Sequence, residues 1–232
     1  MTTERPLAQT RRTARWAGLL YTLVAVIAPI GLFYVPGRLV DAGDAALTAA
    51  RIAAHPDLLR LGMASELFHQ ALEVFLVLAL VALFRPVDRS LTRQMAILGL
   101  IPIPMVFLNV LNELAALALV TGGPALAAIE PPQREALALF FLHLHGLGLQ
   151  LAQVFWGLWL LPLGVLAWRS GFIPRVFAVG AGIGGLGYLV EAVGHLVAPA
   201  LGHALGNGVV ALELGEPLMI LWLLVGGARA PR

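Results

Sequence analysis

Six stretches of this chain, at about 14–35, 60–84, 94–120, 136–167, 174–198 and 208–227, are almost unbroken runs of apolar residues. Each reaches the roughly 20 residues that a helix needs to cross the hydrocarbon core of a bilayer. Backbone polar groups in lipid must be satisfied within the segment, so runs of this kind fold as helices. The expected fold is therefore all-α: a polytopic membrane protein, with residues 1–232 forming a single six-span domain. That domain is a six-transmembrane-helix bundle with short surface helices in the outer loops. Composition agrees, since 12% of residues are charged, against about 25% in a typical soluble domain.

The arginines orient the bundle, and every basic residue other than histidine is an arginine. With the N-terminus inside, Arg5, Arg11, Arg12, Arg15, Arg85, Arg89, Arg93, Arg169, Arg175, Arg229 and Arg232 face the cytoplasm. Arg38, Arg51, Arg60 and Arg134 face outward. Cytoplasmic loops carry the excess of basic residues, so both termini are expected in the cytoplasm. Trp16, Trp168 and Trp222 then fall near the inner interface, where tryptophans concentrate. These arginines are dispersed over helix ends and do not form the clustered basic face of a nucleic-acid-binding protein.

Other classes fall away on residue chemistry. The chain has no cysteine, which excludes disulfides, iron–sulfur clusters, thiolate zinc sites and a cysteine nucleophile. The basic start followed by an apolar run resembles a signal peptide. However, the run is long enough to span and no A-x-A-like cleavage site follows, so a retained first helix is expected. Gly182-x-Gly184-x-x-Gly187 has the letters of a dinucleotide fingerprint but sits inside a span, without the strand that motif requires. Gly180, Gly184 and Gly187 read instead as a small-residue packing face.

Punctuation predicts the loops. Asp44 is an expected N-cap for an alanine-rich helix ending near His55-Pro56. Gly122, Gly123, Pro124, Pro131 and Pro132 break the loop at 121–135. The fourth span is too long for the membrane core, so its outer end from Arg134 is expected to project. Pro102 and Pro104 invite a bend in the third.

Within the spans, polar residues recur at one register. His69 and Arg85, Asn109 and Arg93, Gln153 and Arg169, Glu191 and Arg175, and Glu213 and Arg229 are each sixteen residues apart. Sixteen helical residues rise about 24 Å, which places all five polar groups at one depth in the outer part of the bilayer. Glu66, Glu73, Asn112, Glu113, His143, His145, Gln150, His195 and Glu216 lie nearby in register. Ionisable groups in a membrane are expensive and mark functional sites. Six glutamates in an apolar layer cannot all ionise without counter-charge; either several are protonated or a cation sits among them.

A divalent metal, Zn, Fe or Mn, suits His and Glu ligands without Cys. The expected ligands are Glu66, His69, Glu191 and His195, because each pair projects from one helix face, followed by His143, Glu213 and Glu113. His143 and Gln150 share a face on which His145 does not lie. Glu73 or Glu113 would serve as general base. The alternative for such residues is structural, as interhelical hydrogen bonds that hold the bundle together.

Glu73-Val-Phe aligns with Gln153-Val-Phe at an offset of 80, and Arg93, Asn109 and Glu113 align with Arg175, Glu191 and His195 at an offset of 82. A duplicated hairpin, as in transporters with parallel repeats, and chance similarity between apolar helices both fit.

The stretch Gly43-Asp44-Ala45-Ala46, the run Arg85-Pro-Val-Asp-Arg-Ser-Leu, the run Arg169-Ser-Gly-Phe-Ile-Pro-Arg and Gly187-Tyr-Leu-Val resemble, in order and spacing, a bacterial membrane family catalogued as domain of unknown function 4386. The resemblance runs from about Ala14 to the C-terminus. It implies a six-span inner-membrane fold and transfers no catalytic residue. Ile101-Pro-Ile-Pro departs from the family pattern, which leaves the course of the third span open.

Three functions fit these observations: a metal-binding membrane enzyme acting on a lipid or small apolar substrate, a proton- or ion-coupled carrier or small-molecule binder, and a haem b protein ligated by two of His69, His143, His145 and His195.

Overall fold

Proline and cap residues divide the chain where the sequence places them. The computed structural model describes residues 7–197 and 215–228. Helix α1 (Leu7–Pro29) runs through a π turn (Ile30–Tyr34) into α2 (Val35–Leu39). Pro29 ends the α-helical run, and the Val35 amide then donates to the Ile30 carbonyl, five residues back. A π turn is a common response to a local fault in a helix and recurs at functional sites. Asp44 caps α3 (Ala45–Ala54) by accepting from the Leu47 amide at 2.9 Å, and Pro56 opens α4 (Pro56–Phe84). The cap at Asp44 and the end of α3 before His55-Pro56 follow the sequence expectation, while α4 starts at Pro56, ahead of the expected span.

Asp88 caps α5 (Arg89–Leu100) by accepting from the Leu91 amide at 3.0 Å. A one-residue break at Ile101 separates α5 from α6 (Pro102–Thr121). Pro102 and Pro104 have no N–H to donate, so the ladder opens at this point. Helix α7 (Pro131–Ser170) is continuous over 40 residues; at 1.5 Å per residue it is about 60 Å long, well beyond a bilayer core. Helix α8 (Arg175–Val197) follows, and then α9 (Gly215–Leu221), which passes into a π turn (Trp222–Gly226).

All elements among the described residues are helical. Five segments are long and apolar enough to cross a membrane: Leu7–Leu39, Pro56–Phe84, Arg89–Thr121, Pro131–Ser170 and Arg175–Val197. They coincide with the first five expected spans, and the chain is a helical membrane protein. The sixth expected span lies partly outside the described residues.

The chain divides into two compact units. The first comprises Met1–Ala25, Ala71–Ile103 and Gln150–Arg232. Its core is built from Tyr21, Leu80, Phe84, Met95, Trp159 and Leu163. Helices α7 and α8 meet backbone to backbone there: a Cβ on Gly185 would lie 2.7 Å from the Gly157 carbonyl oxygen, and a Cβ on Gly157 equally close to that of Gly185. Of the expected small-residue packing face, Gly184 and Gly187 are buried and Gly180 is half-buried, while Gly185, outside that set, is buried as well.

The second unit comprises Val26–Gln70 and Pro104–Leu149. Val35 and Leu39 of α2, Ile52 of α3, Leu59 and Met63 of α4 and Val110 of α6 form its core.

Candidate functional site

In the second unit, α4, α6 and α7 each contribute one ionisable side chain to a common point. Glu66 of α4, Glu113 of α6 and His145 of α7 are all buried. One ligand-capable atom from each lies within 4.8 Å of the others. His145 Nε2 is 3.2 Å from Glu66 Oε1, and its Nδ1 is 4.0 Å from Glu113 Oε2. Glu66 Oε2 and Glu113 Oε2 have no hydrogen-bond partner among the described residues. Buried carboxylate oxygens are normally satisfied, so two orphans at one point leave room for a ligand of opposite charge.

Asn109 positions the histidine. Its Nδ2 donates to the His145 carbonyl at 2.8 Å and lies 3.3 Å from His145 Nδ1. Asn112 Nδ2 in turn donates to Asn109 Oδ1 at 3.0 Å. Two tautomers are therefore accommodated. With Nδ1 accepting from Asn109, Nε2–H donates to Glu66. With Nδ1–H directed at the Asn109 backbone oxygen, 3.4 Å away, the Nε2 lone pair is free for a metal. A ligating histidine usually donates its other N–H to such a partner.

Two glycines make the geometry sterically accessible. A Cβ on Gly148, one turn beyond His145 on α7, would collide with the Asn109 amide group. A Cβ on Gly31, inside the first π turn, would lie 2.6 Å from Glu66 Cγ and 2.7 Å from Ser65 Oγ. Glycine at these two positions lets Asn109 lie against α7 and Glu66 lie against the π turn.

The remaining expected site residues are placed differently. His69 is buried, but its ring is engaged on its own helix. Nδ1–H donates to the Ser65 carbonyl at 3.0 Å, and Gln70 Nε2–H donates to Nε2 at 3.1 Å. The side chain that meets Glu66 is His145 and not the expected His69. His145 was expected on another face from His143, and it is the one that turns inward; His143 is exposed.

Glu73, Glu191 and His195 belong to the first unit. Glu73 is buried. Glu191 Oε2 accepts from Gln153 Nε2, and His195 Nδ1 contacts the Glu191 carbonyl at 2.9 Å. Glu213 lies outside the described residues. The first unit also holds a group that sequence reading did not assemble: Glu216 accepts from the Tyr21 hydroxyl through one carboxylate oxygen and from the Tyr188 hydroxyl, at 3.0 Å, through the other. The available signal for His145 was Gly148 three residues on, a small residue on the same helix face marking a close approach.

The family described as Domain of unknown function (DUF4386) matches residues 16–227. No curated protein and no solved structure matches the chain.

Proposed function

This chain belongs to the DUF4386 family, and we propose that it is a six-span protein of the bacterial inner membrane, with both termini cytoplasmic, that holds a divalent metal between Glu66, Glu113 and His145. The observation that carries this reading is the convergence of three ligand atoms within 4.8 Å, two of the carboxylate oxygens there having no hydrogen-bond partner among the described residues. Charge supports it: two carboxylates and a dication sum to zero, and a neutral centre avoids most of the penalty for a net charge in a low-dielectric interior. One imidazole with two carboxylates suits Zn, Fe or Mn.

Three protein ligands leave a coordination position open, as in catalytic sites that activate water. We therefore favour a membrane enzyme acting on a lipid or small apolar substrate, with Glu113 as third ligand and proton acceptor.

The test is elemental analysis of protein purified in detergent without chelator. About one metal per chain, lost in Glu66→Gln and Glu113→Gln but kept in Glu73→Gln, supports the site. Metal-free wild-type protein of undiminished stability overturns it.

A second reading, a proton- or ion-coupled carrier, draws support from Glu216 held between Tyr21 and Tyr188. Proton flux in proteoliposomes, abolished by Glu216→Gln and indifferent to metal, would favour it. A Soret band in the same preparation would favour haem b.

A further inference from the structure

In the first unit an open cleft of about 1210 Å³ runs between α1 and α4. It is larger than the roughly 300–1,000 Å³ of a usual small-molecule pocket, and its shape follows from sequence register. On α1, Arg12, Arg15, Trp16 and Leu19 line it; on α4, Phe75, Leu78, Ala79 and Ala82 do. Both sets have the spacing i, i+3, i+4, i+7, which puts each on a single helix face. The α1 stripe passes from charge through an interfacial tryptophan to hydrocarbon within about 10 Å. Trp16 is 56% exposed and Phe75 58%. The two alanines keep the α4 side shallow enough for a chain to lie in it.

Arg12 and Arg15 stand at one end of this cleft. Among the described residues no acidic side chain lines it, and Arg12 and Arg15 are absent from every ion pair there. Arg15 Nη2 donates to the Val225 carbonyl at 3.1 Å. A second apolar cleft in this unit, lined by Leu161, Val165, Trp168 and Arg169, provides the contrast. There Arg169 pairs with Asp88 at 2.8 Å, and the Arg175 guanidinium lies 4.7 Å over the Trp168 ring. The cation lining this cleft, Arg169, is already engaged.

We propose that the α1–α4 cleft binds an anionic phospholipid, with the phosphate at Arg12 and Arg15, the glycerol region at Trp16, and one acyl chain along Leu19, Phe75 and Leu78. Basic pockets between membrane helices bind anionic headgroups in this way. The assignment is independent of the metal site.

The test uses the full chain in nanodiscs carrying brominated phosphatidylglycerol or brominated phosphatidylcholine, with Trp16 emission obtained as the difference from Trp16→Phe. Half-maximal quenching is expected at a several-fold lower mole fraction of the anionic lipid. Arg12→Gln should raise that mole fraction about fivefold. Arg12 is exposed, so this variant keeps its fold, which circular dichroism verifies. Equal quenching by the two lipids, or no response to Arg12→Gln, overturns the proposal.

Discussion

His145 Nε2 stands 3.2 Å from Glu66 Oε1 across 79 residues of sequence. This contact, with Glu113 beside it, turns three helices that are apolar on most sides into the walls of a polar site. Its energetics are asymmetric: removing one partner leaves a buried group unpaired. Glu66→Ala is therefore expected to destabilise the protein by about 3–5 kcal/mol, and the double variant Glu66→Leu/His145→Leu by much less than two single substitutions summed. A thermal-unfolding double-mutant cycle in detergent checks this; additive losses would show that the two groups are not coupled.

Asn109 holds His145 by its carbonyl and its ring. Asn109→Ala should lower metal affinity about 10–100-fold, as loss of a partner supporting a ligand does, while Asn109→Asp loses the donor to the His145 carbonyl and can only accept from the ring Nδ1–H. Competition against a metal-sensitive dye measures both. An Asn109→Ala variant with unchanged affinity would reduce Asn109 to a packing residue.

Gly31→Ala places a methyl 2.6 Å from Glu66 Cγ. The expected cost is about 1–3 kcal/mol from overpacking, together with a loss of metal out of proportion to the loss of stability. Gly37→Ala is the control, because a Cβ there meets nothing within 4 Å. Unfolding midpoints and metal content are read on the same samples.

Asp88 sits in the turn before α5. The Leu91 amide, followed by the Ser90 amide and the Arg169 guanidinium, holds its carboxyl below the usual carboxylate range. A depressed folded value contributes stability above the unfolded value of about 3.9, and that stability is lost as pH falls through the folded value. Asp88→Asn should thus be less stable than wild type at neutral pH, and the two unfolding curves should converge below about pH 4. A constant gap down to the acid limit would exclude titration of Asp88 as the cause.

The absence of cysteine makes topology directly measurable. Single cysteines at Ala46 and Ser90 should react with an impermeant maleimide from opposite sides of the membrane, Ala46→Cys from outside. Labelling of both from the same side would overturn the proposed orientation.

The residues of the site were legible in the sequence as types and registers, but not as partners. Glu66 and Glu113 were recognisable because a carboxylate inside an apolar run is costly wherever the helix turns. Choosing among His69, His143 and His145 was not feasible in the same way. Helices surrounded by apolar neighbours and lipid have no polar face to report their rotation, so the face that His143 shares with Gln150, seven residues on, was the one expected to carry a ligand, with His145 elsewhere.

What the sequence determined by itself is what depends on local chemistry. Five spans follow from unbroken hydropathy, the starts of α3 and α5 from Asp44 and Asp88, the break at Ile101 from two prolines without amide hydrogens, and the glycine stripe of α8 from residue size. Tertiary structure decided which polar groups meet. Gly148 admits Asn109 and Gly31 admits Glu66, and these close approaches hold the residues around which His145 meets its carboxylates. Local propensity acts within a few residues of chain, whereas the rotation of one apolar helix against another is set by the side chains that the facing helix leaves room for.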